Sequence, residues 1–450
     1  MVDTTPDVPI SPVDAASFQL GVDVQPYLVT IAGLLSPGGF VDSDGRPDLA
    51  HLHRTLAAQI AQEPLLRQRP IVRHGSWWWT ESNIEVDLHV SLEERGPTEP
   101  DFEAVCGRLV MQPLDTTRPL WHIALIPVAR TGQCGIVIRV HHAVLDGAGA
   151  SDLFERLFAS PDSKKPDPGA PPTAKTGHSP EPHIPQKASS LDLLRFRIGT
   201  FLHRPIRSRV LLGTIGTTRS IASVSTRTAP VVRGAQSVGG TLNDAYLVAA
   251  GTGLRFILED RGESIPKTIA VSVPVAVTAI GDARNAVGFM IIDLPLQETD
   301  LERAVAIVAK QTAAAKPSAR AAGTTFRSPR VAGIFDKFAK RQHMIGAVVS
   351  NVHGPRGPLT LDGAALVQLW PLGPVGGQCS NRLHSSVLQR QILDRNPDRC
   401  RASPSGKQDR ASRRTSSQRN SQHHKLTGTS SHSFESDRTE ASADFSTRVS

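Results

Sequence analysis

No stretch of this chain approaches the roughly 20 consecutive apolar residues that a helix needs to cross a bilayer, so no membrane span is expected. Cysteine is scarce, with four in 450 residues: Cys106, Cys134, Cys379 and Cys400. None forms a C-x-x-C pair or a zinc-ligand pattern with histidine, which argues against a disulfide framework and against a zinc site. Met1 to Ser11 lack the basic start and apolar core of a signal peptide. A soluble or peripheral protein is expected. An excess of charge of one sign is also missing from most of the chain. The formal net charge is +8, but thirteen basic and seven acidic residues lie between 380 and 450, which leaves the remainder close to +2. The basic balance therefore belongs to the tail and gives little support to nucleic-acid binding.

What is present is ordinary for a globular protein: 39% hydrophobic and 20% charged residues. A chain of 450 residues exceeds one usual domain, so two are expected. Residues 1–160 read as a mixed α/β unit. Leu49, Leu52, Leu56, Ile60 and Leu65 predict a helix within Asp48 to Leu66. The Trp77-Trp78-Trp79 run and the alternation of Ile84, Val86, Leu88 and Val90 predict strands. Gly135 to Val140 predicts a short buried strand. Residues 161–189, rich in Pro, Lys and Ser, read as a flexible linker. A helix is expected from Leu191 to Leu212, its basic residues forming a solvated or membrane-surface face. The second unit, 190–378, holds a helix capped by Asn243 or Asp244, strands at Ile269 to Val275, Phe289 to Leu296 and Ile345 to Ser350, and a helix from Leu301 to Ala315. The Ser350-Asn351 pair is expected to cap the third of these strands.

The segment with chemistry in it is His141-His142-Ala-Val-Leu-Asp146-Gly147, directly after the apolar strand. Acyl transfer to an alcohol needs a base that takes the hydroxyl proton as oxygen attacks a thioester. Neutral imidazole suits that task. A nearby carboxylate can fix the local backbone or orient the ring, and glycine allows a sharp bend after the strand. A histidine pair alone is more often structural. The same pair followed by Asp-Gly at this spacing resembles the superfamily of chloramphenicol acetyltransferase, carnitine acyltransferases and peptide-synthetase condensation domains.

Further segments resemble the wax ester synthase/diacylglycerol acyltransferase family: Ser11-Pro12-Val13-Asp14, Asp87-Leu-His-Val90, Pro113 to Trp121, Asn243-Asp244, Pro274 to Val277 with Asn285 and Met290, and Ser350-Asn-Val-His-Gly-Pro355. The resemblance implies an α/β fold of two chloramphenicol-acetyltransferase-like domains with the active-site tunnel between them. It implies His142 as general base, His141 as a supporting residue, Asp146 as a structural or orienting group and Gly147 at the turn. Asn285, Asn243, Asp244, Ser350 and Asn351 become substrate-binding candidates, with Arg118 a candidate partner for Asp146. Long-chain acyl-CoA is the implied co-substrate, diacylglycerol or a fatty alcohol the acceptor. No bound cofactor, metal or nucleic acid is implied. The expected place is cytoplasmic, peripheral to the inner membrane or to lipid droplets. The alternatives are a different alcohol acceptor, or a degenerate non-catalytic lipid-binding relative.

Three departures stand against this pattern. His122 occupies a position usually acidic in the family. Arg284 and Gly288 replace the glycine before, and the serine after, the family asparagine, here Asn285. Past Gly377 the sequence turns polar and low in complexity, so residues 379–450 read as a disordered or aberrant tail and the second domain as incomplete. A reading-frame shift near Gly377 is one explanation. Residues 388–399, back-translated with permitted codons and read one base along, give a strand-like peptide that resembles the missing segment.

Overall fold

The computed structural model describes residues 6–20, 25–94, 101–128, 131–158, 205–213, 215–279, 281–323, 328–352, 354–355, 357–374, 379 and 382–386. All of them belong to one compact unit that ends at Ile392. The chain forms β1 (Val8–Pro9), α1 (Pro12–Ala15), β2 (Leu28–Leu35), α2 (Leu49–Ile60), β3 (Gln68–Arg73), β4 (Ser76–Glu81) and β5 (Val90–Leu92). Then come α3 (Phe102–Leu109), β6 (Trp121–Val128), β7 (Gln133–His141) and α4 (Gly147–Phe158). The later part holds α5 (Thr228–Ser237), α6 (Leu242–Asp260), β8 (Ile269–Ala276), β9 (Val287–Leu294), α7 (Leu301–Ala322) and α8 (Pro329–Ala339). It closes with β10 (Ala347–Val352), β11 (Thr360–Leu361), β12 (Ala364–Leu372) and β13 (Arg382–Ser386).

Three sheets organise these elements. A six-stranded sheet runs in the order β11-β12-β2-β7-β6-β5, a four-stranded sheet β13-β10-β8-β9, and a small sheet β1-β4-β3. The centre of the first sheet is β7, buried from Cys134 to Val140. A strand covered on both faces reads as a continuous apolar run, which is how the sequence presents it. Gly135 is needed there: a Cβ would come within 2.4 Å of the Phe102 ring on α3. One apolar core joins this sheet to α2 and α4 and includes Phe40, Leu52, Leu56, Leu125 and Ile136. A second core, with Leu247, Leu254, Val271, Ile292 and Val308, joins the four-stranded sheet to α6 and α7.

Several expectations change. Val86–Leu88 is a 3₁₀ turn, and only Val90–Leu92 is a strand. Val86, His89 and Val90 are buried while Leu88 is exposed, so the apparent alternation misleads. Of the helix expected over 191–212, residues 205–212 form extended chain, a turn and an isolated bridge, and the rest lies outside the described residues, as does the linker 161–189. Helix α7 continues past Ala315 to Ala322, with Pro317 inside it on the exposed side. The third strand of the second unit runs through Ser350 to Val352, so Ser350 and Asn351 lie inside β10 instead of capping it. Sheet membership also crosses the expected domain boundary. Residues 360–372, expected with the second domain, pair antiparallel with β2 and complete the first sheet. Finally, order does not stop at Gly377. Cys379 is buried, and Arg382–Ser386 pair in parallel with β10 from Val348 to Val352.

Candidate functional site

Strand β7 ends at His141, and the loop to α4 presents the two histidines. The His142 backbone N–H donates to the Tyr27 carbonyl at 3.0 Å, and the Tyr27 ring stacks on the imidazole with centroids 4.6 Å apart. Its Nδ1 lies 2.9 Å from Oδ1 of Asn285, on the loop before β9. The direction of that bond is decided by the other end of the amide. Asn285 Nδ2 donates to the His142 carbonyl at 2.6 Å and to Asp14 Oδ1 at 2.8 Å. Both of those atoms only accept, so the amide orientation is set and Oδ1 faces the ring. Nδ1 then carries the proton, and Nε2 carries the lone pair that a base needs.

Asp14 anchors this arrangement. Its carboxylate accepts hydrogen bonds from Ser11 Oγ, the Arg284 N–H, the Asn285 N–H and Asn285 Nδ2, all within 3.1 Å. The group is 1% exposed, and these donors stand in for water. Locally the sequence explains Asp14 as the third residue of a short helix, with Ser11 as N-cap and Pro12 next. Nothing local shows that it also grips a loop 271 residues away. Asp14, Tyr27 and Phe18 are the residues that sequence reasoning missed. The family segment Ser11 to Asp14 was the available signal for Asp14.

The other candidates fall into separate places. His141 stacks on Phe18 at 4.8 Å, and its Nδ1 accepts the Ala143 N–H at 3.1 Å. Burial, with the neighbouring His142 adding to it, pushes its pKa down to about 3, so this ring is neutral. Asp146 is buried. Its Oδ1 accepts the Gly149 N–H at 2.9 Å, and its Oδ2 accepts the Ala286 N–H at 3.2 Å. It thus holds the start of α4 and the residue after Asn285. Arg118 is not its partner; it pairs with Asp115 at 3.5 Å. Gly147 opens α4 against Val352 of β10, whose side chain a Cβ there would meet at 3.4 Å.

Asn243 and Asp244 do not cap α6. Thr241 does, and Asp244 closes the capping box, also accepting from Thr312 Oγ1 at 2.7 Å. Among the described residues neither side chain hydrogen-bonds to His142. Ser350 is buried and Asn351 half-buried on β10, two and one residues before the Val352 that abuts Gly147. No group of three or more His, Cys, Asp or Glu suited to a metal ion occurs among the described residues.

The departures have physical accounts. Arg284 lies over the Trp79 ring at 5.0 Å and donates to Gln68 Oε1 at 2.8 Å. Burial lowers its pKa, and Asp14 opposes that shift. Gly288 has no room for a side chain: a Cβ would stand 2.9 Å from Val277, 3.1 Å from the Gly323 carbonyl and 3.3 Å from that of Ala319. His122 faces buried Arg139, whose guanidinium donates to its Nδ1 at 2.9 Å and to the carbonyls of Leu109 and Gln112. Burial, and then the Arg139 charge, push the His122 pKa down to about 4.

Comparison with known proteins agrees with this architecture. Residues 10–237 match the wax ester synthase/diacylglycerol acyltransferase catalytic domain, and residues 283–386 match the C-terminal domain of the same family. A putative diacylglycerol O-acyltransferase of Mycobacterium tuberculosis is 26% identical over 353 residues, covering 70% of each chain. A probable diacylglycerol O-acyltransferase of the same species, tgs1, is 26% identical over 73% of this chain and 77% of that one. Among solved structures, the wax ester synthase/diacylglycerol acyltransferase of Marinobacter aquaeolei VT8 superposes with a TM-score of 0.60 at 20% identity, over 85% of this chain and 90% of that one. The first condensation domain of the CDA synthetase superposes with a TM-score of 0.53 at 16% identity, over 86% and 88%. The fold is shared with both, and the chain belongs to the wax ester synthase/diacylglycerol acyltransferase family.

Proposed function

We propose that this chain moves a long-chain acyl group from acyl-CoA to the hydroxyl of diacylglycerol, of a long-chain alcohol, or of both, with His142 as the base. The observation that carries the reading is the Asp14–Asn285–His142 chain of hydrogen bonds, which puts the proton on Nδ1 and the basic lone pair on Nε2. In the proposed step Nε2 takes the acceptor's hydroxyl proton as its oxygen attacks the thioester carbonyl. The tetrahedral intermediate then expels the CoA thiolate, which recovers the proton from His142. The alcohol attacks directly, so no acyl-enzyme forms and no cofactor or metal takes part. Asn285 and Asp146 are positioning groups in this scheme, and His141 supports the loop as a neutral ring. Ser350, Asn351, Asn243 and Asp244 shape the second half of the site.

The acyl chain and the acceptor reach Nε2 along a passage between the six-stranded and four-stranded sheets, which act as two lobes, with β11 and β12 of the later half belonging to the first lobe. Lipid substrates place the chain at a membrane or lipid-droplet surface, on the cytoplasmic side. The test is turnover of labelled palmitoyl-CoA with dioleoylglycerol or hexadecanol by the full chain and by His142→Ala. Product from the parent and none from the variant supports the base. Equal product from both removes His142 from the mechanism. The non-catalytic lipid-binding alternative predicts acyl-CoA binding without turnover. The Arg284 and Gly288 departures favour it less than the sequence implied, because Asn285 between them still meets His142.

A further inference from the structure

Helix α8 is built the wrong way round for a surface helix of a soluble domain. Such helices turn large apolar residues inward and polar ones outward. Here the one fully buried side chain is Ala332, packed on Ala16 and Leu20. Outward face Val331, 45% exposed, Ile334, 71%, Phe335, 39%, and Phe338, 43%. Their spacing of three and four places them in one stripe. Arg330, Lys337 and Arg341 are also exposed and lie along one flank of that stripe. The helix's single acid, Asp336, is paired with Lys340 at 2.7 Å, and both lie off the exposed arc. A basic flank beside a large apolar stripe is the pattern of a helix that lies in a lipid interface.

Position adds a second argument. Ala332 rests on the Ala16–Leu20 segment, and Phe18 of that segment stacks on the His141 ring. Asp14, just before it, holds Asn285 beneath His142. One layer of chain therefore separates the exposed stripe from the histidine loop.

We infer that α8 is the membrane-docking element of this protein, with Val331, Ile334, Phe335 and Phe338 entering an anionic lipid surface and Arg330, Lys337 and Arg341 meeting its headgroups. The inference rests on the acyltransferase reading only in its choice of lipid as the occupant. Binding and turnover are measured separately, so either can fail alone. The full chain is sedimented with phosphatidylcholine vesicles with and without 30 mol% phosphatidylglycerol, alongside Val331→Ser/Ile334→Ser and Lys337→Glu/Arg341→Glu. Turnover is followed in parallel with hexanoyl-CoA and a soluble short-chain alcohol.

The parent is expected to bind the anionic vesicles, and less well in high salt, where headgroup contacts are screened. The apolar pair is expected to lower binding at least tenfold on both vesicle types. The charge-reversed pair is expected to lose the preference for the anionic ones. Soluble-substrate turnover should be unchanged in both variants, which also shows that they fold. A parent that does not bind vesicles, or variants that bind as the parent does, overturns the inference. So does a parent dimer that Val331→Ser/Ile334→Ser dissociates without any vesicle binding, because the stripe then serves a second copy. Vesicle binding through α8 with no turnover of any substrate would sink the acyltransferase reading and leave the docking inference standing.

Discussion

At the residue scale the account depends on one proton on one nitrogen. His142→Ala removes the base and should lower kcat about 10²–10⁴-fold, the usual range for losing general-base catalysis. Asn285→Ala removes the acceptor that holds the proton on Nδ1 and should cost kcat about tenfold or more, with KM for acyl-CoA nearly unchanged. Asp14→Asn tests the next link. An amide cannot accept all the hydrogen bonds that the carboxylate now receives, so stability should fall by about 1–3 kcal/mol and kcat should fall with it. Denaturant unfolding and initial rates on the same preparations separate the two effects. If Asp14→Asn lowers stability and leaves kcat untouched, Asp14 is only a scaffold. His142 and Asn285 were legible in the sequence because each lies in a segment of the family pattern. Their hydrogen bond was not, because 143 residues separate them and only the tertiary fold brings them together. Asp14 was legible as a helix-start residue and illegible as a support of the base.

At the element scale, legibility followed burial. Strand β7 and helix α2 announce themselves, because a doubly covered strand and a one-sided helix leave clean apolar patterns. The Val86 turn and the crossing of β12 to the first sheet do not. The first mimics alternation, and the second depends on which sheet offers a free edge. Helix α8 escaped notice as well, since its apolar residues point outward and its buried side is small. Two substitutions test how tightly the elements are packed. Gly135→Ala drives a methyl against the Phe102 ring and should cost about 1–3 kcal/mol as β7 and α3 part. Gly288→Ser restores the family residue, yet it meets two backbone carbonyls at the end of α7. It should therefore destabilise this chain and fail to raise activity. Urea midpoints report both. A Gly288→Ser variant as stable as the parent would mean that α7 moves aside.

At the scale of the whole molecule, two buried histidines set an acid limit. His141 and His122 are held near 3 and 4 in the fold, below the usual 6.5. The unfolded chain therefore binds more protons between about pH 6.5 and 4, and stability falls as pH falls through that window. Each group contributes at most about 1.4 kcal/mol per pH unit. His122→Gln keeps an acceptor for Arg139 and removes one titrating group, so its unfolding midpoint should fall less steeply with acid. An identical pH dependence in parent and variant would contradict the assignment. The tail belongs to this scale too. The family match and strand β13 both run to Ser386, so the break in pattern lies after that residue and not at Gly377. We propose a reading-frame shift there. In the four-stranded sheet, β13 lies at one end of the strand order among the described residues, where a further strand of the family pattern would have an edge to pair with. Resequencing the coding DNA decides the frame, and a frame-restored chain should melt at a higher temperature.

The most direct test of the account is transfer from labelled palmitoyl-CoA to dioleoylglycerol, measured for the parent chain, His142→Ala and Asn285→Ala under one condition. The account predicts labelled triacylglycerol from the parent, a loss of about 10²–10⁴-fold in the histidine variant, and an intermediate loss in the asparagine variant. Equal rates in all three would show that the hydrogen-bonded chain from Asp14 to His142 is not the catalytic device.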